Sequence, residues 1–133
     1  ACLLHDIGHM VHQLGEHPAA QGIDDQHESL GASWLSRHFP PSVCEPVRLH
    51  LAAKRYLCTV EPLYRGRLSR DSIESLALQG GLMSSEEVTA FESETYGRDA
   101  VTLRRFDELA KDPHAPAIAF AGFRAHVLRT LTG

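Results

Sequence analysis

The chain has 133 residues, of which 43% are apolar and 23% charged, and its formal net charge is −4. This length and composition are ordinary for one compact globular domain, so they exclude a second full domain and a disordered chain. The acidic balance argues against broad binding to a nucleic-acid backbone, and no apolar run approaches the roughly 18 residues that a membrane span needs. We therefore expect a soluble protein with no nucleic-acid partner and no membrane contact.

The chain begins with a helical pattern over residues 1–14. Its polar interruptions are His5, His9 and His12, which are spaced so that they share one helix face. A stretch rich in Gly, Pro and Asp follows over residues 15–25 and predicts a loop.

Two more helices are predicted before the middle of the chain. The first covers residues 26–37 and turns three large side chains toward the core: Leu30, Trp34 and Leu35. Two prolines end it, and the next helix runs from about Ser42 through Leu57. On that helix His50 and Lys54 lie one turn apart.

The second half of the chain predicts four further helices. Ser69 is placed as the N-cap of the first, and Ser84 or Ser85 with Glu87 as the start of the second. The first covers residues 70–79, the second ends at Phe91, and the last two cover residues 99–111 and 117–131. Since no segment alternates as a strand does, we predict an all-α fold.

Three cysteines are present, at Cys2, Cys44 and Cys58. Their number is odd, their spacing matches no metal motif, and their neighbours are apolar. This usage is typical of a reduced, cytoplasmic protein with buried thiols.

Histidine is the compositional outlier, with nine in the chain. His5 and Asp6 are adjacent, and three more candidates lie on separate predicted helices: His27, His50 and Asp107. Facing side chains of a helical bundle can converge on metal ions. Imidazoles with carboxylates suit iron, manganese or zinc, and the lack of cysteine ligands argues against a structural zinc site.

Each of these residues also has an ordinary structural interpretation. A histidine such as His5 on an apolar helix can be a hydrogen-bonded core residue, and Asp107 can be a surface carboxylate paired with Lys111. We expect four other histidines to lie at the surface: His17, His38, His114 and His126. Only the combination of candidates points to a metal site.

The stretch Leu-Leu-His-Asp-Ile-Gly-His over residues 3–9 resembles the signature of the HD-domain superfamily, whose members are helical and metal-dependent and are mostly phosphohydrolases. Four further stretches are similar to the phosphonate-catabolism branch of that superfamily. They cover residues 26–32, 46–57, 76–81 and 103–107, and the whole resemblance runs from residue 1 to about residue 112.

The resemblance implies an HD-domain helical bundle with the metal site in its core. The best-understood members of the branch are mixed-valence di-iron oxygenases, which cleave the carbon–phosphorus bond of 2-amino-1-hydroxyethylphosphonate to glycine and phosphate. The resemblance therefore implies a dioxygenase that uses an Fe(II)/Fe(III) pair and takes a small organophosphonate and O₂ as substrates.

Carried over position by position, the resemblance implies five metal ligands. Asp6 would bridge two ions, His5 and Asp107 would bind one of them, and His27 and His50 the other. In the family a further histidine ligand, a tyrosine and a glutamate precede the HD pair. We therefore expect one HD domain over residues 1–133 without the family's N-terminal helix or helices.

The resemblance also implies residues that contact the substrate. Lys54 and Arg104 each lie one turn from an implied ligand, and Ser72 lies near a predicted helix N-terminus, so all three side chains can reach an anion beside the metals. His9 is implied as an imidazole beside the ligands that contacts the substrate. His9 and Lys54 would thus take part in catalysis.

Two other functions would use the same residues. With manganese or another divalent metal, the five ligands would serve a phosphohydrolase of a small phosphate ester or a nucleotide. A domain without a complete ligand set would be a non-catalytic binding or regulatory module. The identity of the metal distinguishes the oxygenase from the phosphohydrolase, because oxygenation needs a redox-active ion. A homodimer through the last helix is compatible with the sequence but is not specified by it.

Overall fold

The computed structural model describes residues 1–11, 26–112, 114–116 and 118–132. Within these ranges the chain forms helices, turns and loops and no β-strand, which confirms the predicted all-α fold. His12 and the loop predicted over residues 15–25 lie outside the described residues. No described helix has both the length and the apolar character needed to cross a membrane.

Nine α-helices and two 3-10 helices form the described part of the chain. The α-helices are α1 Gly8–Val11, α2 His27–Leu35, α3 Pro41–Arg48, α4 His50–Val60, α5 Pro62–Arg65, α6 Arg70–Leu78, α7 Ser85–Glu92, α8 Gly97–Ala110 and α9 Arg124–Thr130. The 3-10 helices are Cys2–Leu4 and Phe120–Phe123.

The helix starts that depend on capping residues are predicted correctly. The Ser69 side chain accepts a hydrogen bond from the backbone N–H of Ser72 at the start of α6. Ser84 and Glu87 form a complete capping box at the start of α7. Such caps satisfy backbone N–H groups that have no partner within the helix, so they fix where a helix begins.

Two longer helices are predicted as continuous, but each is interrupted in the structure. The first segment is a 3-10 helix, a turn at residues 5–7 and then α1, rather than one helix over 1–14. The predicted helix from Ser42 to Leu57 is divided at Leu49 into α3 and α4. The apolar pattern continues across that break because both helices bury apolar side chains, α3 in the cluster with α2 and α8, and α4 in two other clusters.

Helices α4 and α8 form the centre of the fold. Ala53 on α4 and Ala100 on α8 are both fully buried, and their small side chains let the two helices approach closely. A second cluster lies between α2, α3 and α8, with Leu35 and Val47 fully buried. The prediction that Leu30 and Trp34 face the core is wrong, since they are 41% and 37% exposed.

Helices α1 and α2 meet through their backbones at Gly8. A Cβ atom at Gly8 would lie 1.8 Å from the carbonyl oxygen of His27, so only glycine fits there. The same contact is bordered by Gly31, where a Cβ would lie 3.1 Å from the Gly8 nitrogen. The first residues of the chain are therefore held directly against the start of α2.

The three cysteines are free thiols, as expected. Cys44 and Cys58 are buried, whereas Cys2 is exposed, so the prediction of buried thiols holds for two of the three.

Candidate metal centre

His5 and Asp6 lie in the turn that precedes α1. On a regular helix two adjacent side chains diverge by about 100°, but in this turn the His5 Nε2 atom is 3.3 Å from Asp6 Oδ1. The turn therefore points both groups at the same place, which the prediction of a continuous helix did not foresee.

His27 and His50 are the first residues of α2 and α4. Both side chains are buried, and their Nε2 atoms are 3.2 Å apart. The Nε2 atoms of His27 and His50 lie 3.8 and 3.9 Å from Asp6 Oδ1. These three predicted ligands thus surround one small volume.

Asp107 on α8 completes the cluster from the opposite side. Its Oδ1 atom is 3.5 Å from His5 Nε2. All five predicted ligands therefore converge, in two groups that share Asp6. One group is His5, Asp6 and Asp107, and the other is Asp6, His27 and His50.

The hydrogen bonds of two of the imidazoles orient them for metal binding. His5 Nδ1 lies 2.8 Å from the carbonyl oxygen of Cys2, and His50 Nδ1 lies 2.6 Å from that of Val47. A ring nitrogen facing a carbonyl must carry the proton, so the Nε2 atoms keep their lone pairs. This arrangement is typical of histidine ligands, whose second nitrogen is held by an outer group.

The charge states also suit a cation. Burial, with the neighbouring His27 and His5, lowers the pKa of His50 to about 3, so its imidazole is neutral. Burial works to raise the pKa of Asp107, but the hydrogen bond with His5 and the nearby Arg104 hold that pKa well below its usual range. The site therefore offers a neutral imidazole at His50 and an ionised carboxylate at Asp107.

The spacing of the donors fits metal ions of ordinary bond length. Two donors that each lie about 2.1 Å from one ion are separated by about 3.0 to 3.4 Å in octahedral or tetrahedral geometry. The separations of 3.2 to 3.9 Å within the two groups are only slightly wider. Mixed imidazole and carboxylate donors suit iron, manganese or zinc, so the residues present fit the implied metal pair.

His9 on α1 lies at the edge of the same cluster. Its ring stacks on His27 with the ring centroids 3.9 Å apart, and one donor atom each from Asp6, His9 and His27 lie within 4.8 Å of one another. His9 is exposed, unlike His27. Its predicted role beside the ligands remains a prediction, and its nitrogen is close enough to serve as a further ligand.

Lys54 is a buried cation one turn after His50. It is 3% exposed, and its Nζ atom donates a hydrogen bond of 3.0 Å to Ser75 Oγ. Burial and the nearby Arg104 lower the pKa of Lys54 to about 8. Ser75, which sequence reasoning missed, in turn donates to the carbonyl oxygen of Ser72.

Arg104 is also buried, at 5% exposure, and each of its nitrogen donors faces an oxygen of the protein. Its Nε donates to the hydroxyl of Tyr64 at 3.0 Å, and its two terminal nitrogens donate to Asp107 Oδ2 and Glu108 Oε1. Arg104 therefore holds the predicted ligand Asp107 in place, and its own contact with substrate stays a prediction.

Tyr64 and Glu108 were missed from the sequence. Tyr64 belongs to the unpredicted short helix α5, forty residues away from Arg104, and no local signal links the two. Glu108 lies four residues after Arg104, so the helical ion-pair spacing could have identified it.

Ser72, the remaining predicted substrate contact, lies in the first turn of α6 and is half-buried. Its hydroxyl is 3.0 Å from that of Ser69 and 3.5 Å from Lys111 Nζ. It therefore lies beside Lys111, the residue that follows α8, and its contact with a substrate stays a prediction.

The chain is similar in sequence to two curated phosphonate dioxygenases. No family model matches the chain. It is 47% identical over 114 residues to the hydroxymethylphosphonate dioxygenase of Gimesia maris, which covers 84% of this chain. It is 45% identical over 109 residues, or 82% of this chain, to the glycine-betaine-forming [1-hydroxy-2-(trimethylamino)ethyl]phosphonate dioxygenase of Leisingera caerulea. The predicted resemblance to the phosphonate-catabolism branch of the HD-domain superfamily is confirmed.

A third relative of the chain is an uncharacterised protein of Acanthamoeba polyphaga mimivirus, 34% identical over 114 residues and matching 84% of this chain. The chain spans only 56% of the length of each dioxygenase and 52% of the viral protein. The chain therefore spans about half the length of the curated relatives that it matches.

Proposed function

We propose that this chain carries the metal centre of a dioxygenase that cleaves the carbon–phosphorus bond of a 1-hydroxyphosphonate to give phosphate and a carboxylate. The observation that carries the proposal is the convergence of His5, Asp6, His27, His50 and Asp107, with the buried cation Lys54 one turn away. Two metals and an anion pocket are what such a substrate needs, because it offers a hydroxyl and a phosphonate on one carbon.

The names of the relatives support this substrate class. Both named substrates carry a hydroxyl on the carbon bonded to phosphorus, and in one of them that carbon ends as the carboxylate of glycine betaine. 2-Amino-1-hydroxyethylphosphonate, the substrate implied by the family resemblance, belongs to the same class and remains a prediction for this chain.

The residues that would hold the metals are the two groups described above. His5 and Asp107 would bind one ion, His27 and His50 the other, and Asp6 would be shared by both. Iron bound there would supply the activation of O₂ and the electron transfer. The protein's contribution would be to fix imidazole and carboxylate donors around the ions.

The remaining residues would bind and orient the substrate. Lys54 and Arg104 are buried cations beside the ligands, and Ser72 lies on the same side, so they are suited to the phosphonate oxygens. Ser75 fixes the Lys54 ammonium group by accepting its hydrogen bond. His9, exposed at the edge of the cluster, would accept the proton of the substrate hydroxyl.

The proposed reaction consumes one O₂ for each phosphate released. The carbon–phosphorus bond breaks, the carbon that carries the hydroxyl is oxidised to a carboxylate, and the phosphonate group leaves as phosphate. For hydroxymethylphosphonate the products are formate and phosphate, and the two atoms of O₂ balance the equation without another oxidant.

The test is simultaneous measurement of O₂ uptake and phosphate release with hydroxymethylphosphonate on iron-loaded protein. We expect equal amounts of both, and loss of both in Asp6→Asn, because the shared carboxylate is weakened as a ligand. Asp99→Asn, at an exposed carboxylate in the first turn of α8, is the control and should behave as the wild type.

Two results would contradict the proposal. Release of phosphate from phosphate esters without O₂ uptake, and equally well with manganese, would replace the oxygenase by a hydrolase. Absence of both O₂ uptake and phosphate release in iron-loaded protein would leave the metal centre without the proposed activity.

A further inference from the structure

Glu108 lies between two cations at the end of α8. Its Oε1 atom accepts a hydrogen bond of 2.9 Å from Lys111 Nζ and another from a terminal nitrogen of Arg104. One carboxylate oxygen therefore joins a guanidinium group and an ammonium group. Both cations are the kind of donor that an anionic ligand requires.

The same two cations border the metal centre. Arg104 also donates to Asp107 Oδ2, while the other oxygen of Asp107 faces His5. Lys111 Nζ is 3.5 Å from Asp107 Oδ2 and 3.5 Å from the Ser72 hydroxyl. The Glu108 carboxylate thus occupies positions on these cations that an anion beside the metals would use.

The charges of the surrounding side chains indicate how Glu108 would affect the binding of an anion. Three cationic groups, Lys54, Arg104 and Lys111, lie near two carboxylates, Asp107 and Glu108. The Glu108 carboxylate therefore cancels one of the positive charges that an anion would meet. Withdrawal of Glu108 raises the net charge of these five groups from +1 to +2, which favours a dianion in addition to the charge of any bound metal.

Glu108 also has a place to go. Its side chain is 21% exposed and that of Lys111 39%, whereas Arg104 is almost completely buried. Glu108 and Lys111 line an open surface depression next to Ser69 and Arg67. The carboxylate can therefore rotate into this depression while the Arg104 guanidinium stays fixed under Asp107.

We propose that Glu108 is an internal competitor of the substrate: its carboxylate neutralises Arg104 and Lys111 in the free protein and is displaced when the phosphonate binds. The inference rests on the proposed function, since it concerns the anion pocket of that reaction. It assigns Glu108 a role in setting affinity and adds Lys111 to the residues that contact the phosphonate.

Calorimetric titration of metal-loaded protein with hydroxymethylphosphonate, and separately with inorganic phosphate, tests the proposal. Glu108→Gln keeps the shape of the side chain and removes its charge, so it should tighten binding of both anions by about tenfold. Glu108→Ala, which also removes the acceptor oxygen, should tighten binding at least as much. Glu45→Gln is the matched control, because Glu45 pairs with Arg48 one turn away on α3 and should leave binding unchanged.

The outcomes separate this inference from the proposed function. Unchanged or weaker binding in both Glu108 variants, while the wild type binds hydroxymethylphosphonate, would overturn the inference and show that Glu108 only positions Arg104. If neither the wild type nor the variants bind either anion, the anion pocket itself is absent, and the proposed function fails with the inference. Thermal unfolding of each variant shows that it is folded.

Discussion

Replacing Gly8 by alanine is expected to break the metal centre, although Gly8 is not itself a predicted ligand. Gly8 begins α1 two residues after Asp6, and its backbone lies against the backbone of His27 at the start of α2. The Cβ of alanine would lie 1.8 Å from the His27 carbonyl oxygen and 2.5 Å from its carbon. Because both atoms belong to the backbone, no side chain can rotate to relieve the clash.

The size of the effect follows from these distances. Ordinary contacts begin near about 3.4 Å, so α1 and α2 must separate by about 1.5 Å. That movement would lengthen the 3.8 Å separation of Asp6 and His27 to about 5 Å. Two donors on one ion cannot be more than about 4.5 Å apart, so these two could no longer share an ion.

The assay is metal content per folded chain, together with the melting temperature. Gly8→Ala should lose the ion of the His27 and His50 group, about half of the bound metal, and destabilise the protein by about 1 to 3 kcal/mol through overpacking. Gly66→Ala is the control, because its Cβ would lie 3.7 Å from the nearest atom, an ordinary contact. Equal metal content and equal melting temperatures in the two variants would refute the reasoning.

Three further predictions concern charge and capping. Burial lowers the pKa of Lys54 to about 8 in the folded state, so the unfolded chain binds more protons between pH 8 and about 10.5. The free energy of unfolding should therefore rise with pH across that window, by up to about 3 kcal/mol. Urea unfolding at pH 7.5 and 10.5 should show this rise in the wild type and its loss in Lys54→Met. Burial works to lower the pKa of His5, but the hydrogen bond with Asp107 and the charge of Asp6 raise this pKa overall. The pKa of His50, in contrast, is lowered to about 3. Acid should therefore release the His5 ion first, and dialysis against falling pH should show two steps of metal loss; one joint step would contradict this. Ser84→Ala removes the N-cap of α7 and should cost about 1 kcal/mol in urea unfolding, whereas an unchanged midpoint would show that the cap is not needed.

The parts of the fold that the sequence predicts well depend on neighbours in the chain. The caps at Ser69 and Ser84 each involve residues within one helical turn, so their signals are complete in a short stretch of sequence. The break at Leu49 depends instead on how α3 and α4 pack against the rest of the protein. Helix α5 has only four residues, too few for a periodic pattern.

The candidate site also has parts that the sequence predicts and parts that it does not. The convergence of Asp6 and Asp107 with the three histidines follows the family resemblance, because the motifs fix which residues face each other. The network around Arg104 does not, since its contact with Tyr64 joins residues forty positions apart. The backbone contact at Gly8 was equally hidden, because the sequence shows a glycine but not the carbonyl that it faces.

His50 and Lys54 lie on one helix, so α4 sets the distance between them. An α-helix rises about 1.5 Å per residue, so the four-residue interval fixes the metal-binding and cationic groups about 6 Å apart along its axis. Moving either group by one residue would rotate it by about 100° away from the site, so the interval can change only by a whole turn. For the proposed reaction, this interval restricts the distance between the metals and the phosphonate group. It places no restriction on substituents of the substrate that project away from α4.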